Sequence, residues 1–299
     1  MNASQRQAVV VTGASSGIGA AAALLLAQEG FVAFAGVRND ADAARADALH
    51  ENVRALRLDV TDRATIDAAA AHVAQLGYPL RGVVANAGIA VAGPLEFLPV
   101  GEVRRQFEVN VFGALEVAQA FLPQLRASYG RLVFVGSISG RLAVPFIAPY
   151  SASKFALRAL ADALRVELAA AGIAVSLIEP GSVKTPIWQK GRDARAELEA
   201  RLGPGARERY GAQIDAVYAQ TVREERAGMP VEQVARAIAQ ALTARKPRAR
   251  YVVGGNARAG SIVALLPPRL RDRVLRASLK LPATAPPPAC GGVHEPGER

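Results

Sequence analysis

The chain has 299 residues, 51% of them apolar and 21% charged, a composition suited to a globular protein with a sizeable core. One cysteine (Cys290) and 3 histidines (His50, His72 and His294) exclude a disulfide framework and argue against a Cys/His metal site. The formal net charge of +10 is confined to one region: residues 1–244 carry 25 Lys/Arg against 23 Asp/Glu, residues 245–280 carry 10 against 1, and the last 19 contribute −1.

Short apolar or β-branched runs at 8–11, 32–36, 54–58, 82–85, 131–135, 174–178 and 250–253 predict strands. Helical patterns at 17–29, 103–125, 151–170 and 231–243 fall between them. Near-continuous apolar strands alternating with helices form a parallel sheet covered on both faces, with right-handed crossovers. The predicted architecture is a single doubly wound (Rossmann) α/β domain over residues 1–255, with a sheet of about seven strands. Residues 186–228 hold no strand signal, and their charged helical pattern is interrupted by Gly203-Pro204-Gly205. An insertion at this point predicts a substrate lid over the carboxyl ends of the strands. Residues 256–281 read as a basic amphipathic extension, and 282–299, rich in Pro, Gly and Ala, as a disordered tail. No basic leader and no apolar run of membrane-spanning length stand out, so a cytoplasmic protein is expected.

The first predicted strand runs into Thr12-Gly13-Ala14-Ser15-Ser16-Gly17-Ile18-Gly19, which opens the first helix. A glycine-rich turn between strand and helix lets a pyrophosphate approach the unpaired N–H groups of the helix N-terminus. That context points to a dinucleotide held by Gly13, Ser15, Ser16, Gly17, Ile18 and Gly19. The second strand ends Gly36-Val37-Arg38-Asn39-Asp40. Val37 cannot accept hydrogen bonds from a ribose, whereas Arg38 can pair with a 2′-phosphate, which favours NADP(H) over NAD(H). The competing reading leaves Arg38 in solvent and gives the ribose to Asp40.

Tyr150 and Lys154 lie four residues apart in a helical pattern, hence on one face and one turn apart. An ammonium beside a phenol lowers its pKa from about 10 and suits it to proton exchange with a carbonyl or alcohol oxygen. Ser137 ends the fifth strand, where its hydroxyl can bond the same oxygen. A hydrolase elbow is excluded because Gly136-Ser137-Ile138-Ser139-Gly140 places Ile138 where the nucleophile would stand.

Thr12–Gly19, Asn86-Ala87-Gly88, Asn110, Ser137, Tyr150-x-x-x-Lys154 and Pro180-Gly181 follow one another in this order. Together they resemble the short-chain dehydrogenase/reductase family in its compact form, over about residues 6–255. The stretch from Val103 to Trp188 is most similar to bacterial members grouped with retinol and hydroxysteroid dehydrogenases. The resemblance implies Tyr150 as acid/base, Ser137 as anchor of the substrate oxygen, and Lys154 as the residue that binds the nicotinamide ribose and lowers the tyrosine pKa. It implies Asn110 as holder of a relay water, Asp59 and Val60 as adenine contacts, and Asn86, Ala87 and Gly88 as the turn along the cofactor. Pro180, Gly181, Val183 and Thr185 would receive the nicotinamide carboxamide. The family's Asn-Asn-Ala-Gly form is altered here to Ala85-Asn86-Ala87-Gly88, and Ser16 stands where NADP-type members carry a basic residue. Dimers or tetramers are the family's usual assemblies.

Ile138, Val144, Phe146, Ile187 and Trp188 make the expected pocket apolar, which points to a small hydrophobic carbonyl or secondary alcohol. Alternatively these side chains only pack the lid. A non-catalytic dinucleotide-binding regulator on the same fold is the competing function, and the full Ser137, Tyr150, Lys154 and Asn110 set argues against it. In the basic extension Leu270, Val274, Ala277 and Leu281 share a helical face flanked by Arg269, Arg273, Arg276 and Lys280. With 262–266, residues 262–281 are suited to peripheral contact with anionic lipid, to covering the pocket, or to a subunit interface. The lack of interleaved aromatics argues against nucleic acid.

Overall fold

The structure is a computed structural model and describes residues 6–185, 187, 199–200, 202 and 204–281. Trp188, Cys290, His294 and the expected tail 282–299 lie outside the described residues. Strands β1 (Ala8–Val11), β2 (Val32–Val37) and β5 (Arg131–Val135) are buried at every position. Strands buried on both faces belong in the middle of a covered parallel sheet. They join β3 (Val53–Arg57), β4 (Leu80–Ala85), β6 (Ala174–Pro180) and β7 (Arg250–Val253) in one sheet of order β3-β2-β1-β4-β5-β6-β7, with every pairing parallel.

Alternate residues of each strand feed the two faces. Ala8 and Val10 enter one core layer, which holds Ile66 and Val73 of α3 (Arg63–Gln75), Phe121 and Leu125 of α5 (Gly113–Ser128), and Leu157 of α6 (Ala148–Glu167). Val9 and Val11 enter the other, against Ala22 and Leu26 of α1 (Gly17–Gln28) and Val234, Ile238 and Leu242 of α8 (Val231–Thr243). Helix α2 (Asp40–Asp47) adds Ala46 to the second layer. The order reverses at β1, whose neighbours β2 and β4 send the chain to opposite faces. A crevice for a ligand forms at such a reversal, beyond the carboxyl ends of the strands.

The expected helix over 103–125 is in fact three pieces. Helix α4 (Val100–Phe107) passes into a π-helical turn at Glu108–Phe112 and then into α5. Within 186–228 the structure describes α7 (Pro204–Ala227). The basic extension is two helices, α9 (Gly255–Val263) and α10 (Pro268–Ser278), parted at Pro267-Pro268.

At the amino ends of β4 and β5, two arginines close α8. Arg131 donates to the carbonyls of Ala241 (2.7 Å) and Ala244 (2.5 Å), and Arg81 to that of Leu242 (2.8 Å). Cations at the end of a helix satisfy its orphan carbonyls and oppose its dipole. Replacing Arg131 by Met keeps the apolar stem and removes the donors. The expected loss is about 2–3 kcal/mol of stability, read as a melting temperature lower by about 5 °C or more.

Candidate active site

Between β1 and α1 the chain turns through Thr12–Ser16. Gly13 has φ +63°, and a Cβ there would lie 2.7 Å from the Ala87 Cα, so this backbone tolerates only glycine. Ser16 precedes α1 in an extended conformation without a side-chain cap, and the first turn holds no acidic residue. The amides at the helix start therefore keep their capacity for an anion. Gly13, Ser15, Ser16, Gly17 and Ile18 line a cavity of about 1770 Å³, measured with its open mouth. Gly19 is the one expected cofactor residue that does not line it; it packs behind, against the Gly13 carbonyl and Asn86.

Asn86, Ala87 and Gly88 follow β4 and line the same cavity. The Thr12 hydroxyl accepts from the Asn86 and Ala87 amides, each at 3.0 Å. The Asn86 side-chain Nδ2 donates back to the Thr12 carbonyl at 2.8 Å and the Gly13 carbonyl at 3.2 Å. Two loops that have left the sheet are thus stitched to each other.

Ser137 starts a 3-10 turn, Ile138–Gly140, and its hydroxyl accepts from the Ser139 amide at 3.1 Å. It also hydrogen-bonds the Tyr150 side chain. Tyr150 lies in the first turn of α6 and Lys154 one turn on, both buried and both lining the cavity. The Lys154 ammonium donates to the Val135 carbonyl at 2.9 Å and sits 5.7 Å from the Tyr150 ring centre. Burial pushes the Tyr150 pKa up, with the Ser137 bond pulling against it, and pushes Lys154 down to about 8. The sequence led us to expect the lysine to draw the phenol down; in the protein alone, desolvation is the larger influence on both groups.

Asn110 lies in the π-helical turn, fully buried and behind the cavity wall. Its Oδ1 accepts from the Ile89 amide at 2.9 Å, and its Nδ2 donates to the Ile89 carbonyl and the Ser153 hydroxyl, each at 3.1 Å. Ser153 in turn donates to the Tyr150 carbonyl at 2.7 Å. Gln106, one turn earlier, accepts from the Val91 amide and donates to the Ile89 carbonyl, both at 2.7 Å. Sequence reasoning missed Gln106 and Ser153; their signal is Gln106-x-x-x-Asn110 on one helical face. It also missed Glu179, buried at the end of β6, whose carboxylate takes Arg141 Nε at 2.8 Å together with Arg141 Nη2.

Arg38 lines the cavity and is exposed, with no ion pair among the described residues. Asn39 is taken up in capping α2, and Asp40 pairs with Arg57 at 3.2 Å. Asp59 and Val60 line the cavity, the Asp59 carboxylate accepting from the Thr61 amide and hydroxyl. A Cβ on Gly113 would lie 2.4 Å from the Val60 carbonyl, so the start of α5 presses on this wall. Pro180, Gly181, Val183, Thr185 and Ile187 complete the lining.

Val183 also borders a second cavity of about 440 Å³, with Val144, Ile147, Val217 and Glu224 around it. Ile138 and Phe146 line neither cavity. Phe146 has φ +65°, a conformation costing a phenylalanine about 1–2 kcal/mol. Its carbonyl accepts from the Gly93 amide at 2.7 Å, and its ring packs edge-on to Tyr210 at 5.9 Å.

Residues 7–196 match the short chain dehydrogenase family. The chain is 36% identical over 283 residues to the NADPH-dependent 3-dehydrocapnine reductase of Ornithobacterium rhinotracheale, spanning 91% of this chain and 96% of that protein. It is 42% identical over 187 residues to the 3-amino-tetrahydro-pyrrolizinone reductase of Xenorhabdus hominickii, spanning 62% of this chain and 64% of the relative. A crystal structure of a short chain dehydrogenase/reductase from Burkholderia phymatum in complex with NAD superimposes with a TM-score of 0.73 at 25% identity, covering 96% of this chain and 99% of the other. On the family match and the near full-length relative, the chain belongs to the short-chain dehydrogenases, NAD(P)-binding oxidoreductases.

Proposed function

We propose that the chain is an NADP(H)-dependent oxidoreductase of a small hydrophobic ketone or secondary alcohol, with Ser137, Tyr150, Lys154 and Asn110 as its working set. The observation that carries this reading is the hydrogen-bonded Ser137–Tyr150 pair, with Lys154 one helical turn away, on the same cavity as the uncapped start of α1. The reduced nicotinamide, when bound, supplies the hydride for the carbonyl carbon. Ser137 and Tyr150 hold the substrate oxygen between them, and Tyr150 delivers its proton to that oxygen as negative charge develops. A raised pKa keeps the phenol protonated at neutral pH, as an acid must be before it donates. A charged Lys154 steadies the tyrosinate that results. Both polar atoms of the Asn110 side chain are engaged, so a relay water would be held by its backbone.

NADP(H) is supported by Arg38 on the cavity wall, by apolar Val37 where a ribose-binding carboxylate would stand, and by Asp40 being paired with Arg57. The NADPH dependence of the Ornithobacterium relative agrees with it. We assign α7 to the substrate lid, since Val217, Gln220, Thr221 and Glu224 wall the second cavity beside Val183. Homodimers or homotetramers are the assembly expected with exposed Phe112, Phe155 and Val166. Peripheral contact of residues 262–281 with a membrane belongs to the same reading.

Tyr150→Phe is expected to lower kcat by about 10²–10⁴ while NADPH still binds, as read by quenching of protein fluorescence. Turnover unchanged in that variant would sink the mechanism. Arg38→Ala is expected to raise the KM for NADPH about tenfold and leave that for NADH in place. Lys154 has a folded pKa near 8 against 10.5 unfolded, so between those values the unfolded chain binds more protons and stability rises with pH. Melting curves at pH 8 and pH 10 should show the wild type gaining up to about 3 kcal/mol relative to Lys154→Met.

A further inference from the structure

Helix α10 has no buried residue along its 11 positions. Leu270 is 46% exposed and Val274 36%, while Ile262 near the end of α9 (67%) and Leu265 in the turn that follows (85%) are also exposed. A helix this short with no buried residue of its own is marginal in water, so a surface that covers it would stabilise it. Arg258, Arg269, Arg271, Arg273, Arg276 and Lys280 stand around these aliphatic side chains, against the single acid Asp272.

We propose that the exposed face of α9 and α10 docks on an anionic bilayer. Ile262, Leu265, Leu270 and Val274 enter the boundary between headgroups and acyl chains, and the arginines meet lipid phosphates. Charge decides between the possible occupants. A second copy would bring the same cationic face, and a two-fold contact would set like charges against one another. Nucleic acid would leave the aliphatic side chains without a partner, since stacking needs aromatic rings. No helix among the described residues is long and apolar enough to cross a membrane, so the contact is peripheral.

The docking face is tied to the substrate side of the fold. Ala257 is fully buried, and a Cβ on Gly260 would lie 2.8 Å from the Ile138 side chain, next to Ser137. Leu279, just past α10, is 7% exposed and borders the second cavity with Val144, Ile147 and Val183. A bilayer against this face therefore lies beside the route by which an apolar substrate would leave lipid for the cavity. Docking through this face rests on the peripheral contact proposed above and does not depend on the Tyr150 chemistry.

The test is co-sedimentation of the full chain with phosphatidylcholine vesicles, with and without about 30 mol% phosphatidylglycerol. Binding is expected on the anionic vesicles, weak on the neutral ones, and largely lost between about 0.1 M and about 0.5 M salt. Arg269→Gln with Arg273→Gln should weaken it about thirtyfold at low salt, and Ile262→Ser with Leu265→Ser should weaken it on the same vesicles. Both variants should keep the wild-type melting temperature and the turnover of a water-soluble ketone. Tyr150→Phe should bind vesicles like the wild type, so a failed catalytic reading leaves the docking result standing. Equal binding to neutral and anionic vesicles, no binding to either, or variants that change the oligomer in gel filtration would overturn the proposal.

Discussion

Past the carboxyl ends of β1 and β4 the hydrogen-bond ladder of the sheet stops, yet residues 86–91 run on through the wall of the cavity. Their amides and carbonyls have no strand beside them. Thr12, Gln106 and Asn110 take the place of that strand. An amide side chain offers a donor and an acceptor together, so Asn110 grips both the N–H and the C=O of Ile89. Each such bond contributes about 1 kcal/mol, but an unpaired buried group costs about 1–3 kcal/mol, so the set holds as a unit. Ser153 extends the same network to the carbonyl of Tyr150, which links the loop after β4 to the start of α6.

The groups proposed to handle the proton are held by the same economy of polar contacts. Tyr150 and Lys154 are both withdrawn from water, and burial favours the neutral form of each. The lysine is anchored by a carbonyl of β5, and Ser137 supplies the tyrosine with a neutral partner. Where side chains are withdrawn from water in this way, a charge that develops beside them is felt more strongly, because less solvent competes with the fixed dipoles.

Most strands were legible as nearly unbroken apolar runs, β3 being the exception with Arg54 and Arg57 among its five residues, and their ends differ from the pattern by one or two residues. The glycine-rich turn was likewise written locally, in the residues that follow Ala8–Val11, and the doubly wound class in the alternation of strands with helices. Helix α4, the π-helical turn and α5 were not separable, since hydrophobic periodicity does not register one widened turn. Gln106, Ser153, Arg141 and Glu179 escaped for a different reason: each is an unremarkable polar residue until a partner elsewhere in the chain is brought to it. Ile138 and Phe146 were read as pocket residues from their chain neighbours, but the fold turns one against Gly260 and the other against Tyr210. Trp188 falls outside the described residues.

The ion pair of Arg141 with buried Glu179 braces the turn that carries Ser137 against the end of β6. Burial usually erodes a cation, but here the bond to Glu179 outweighs it and the Arg141 pKa is raised. The guanidinium therefore keeps its charge throughout the range in which Lys154, near 8, changes its own. The brace and Lys154 respond to acidity on separate scales. A pH–rate profile would accordingly record the chemistry proposed for Tyr150 and Lys154, without a superimposed loosening of the arginine that steadies the turn beneath Ser137.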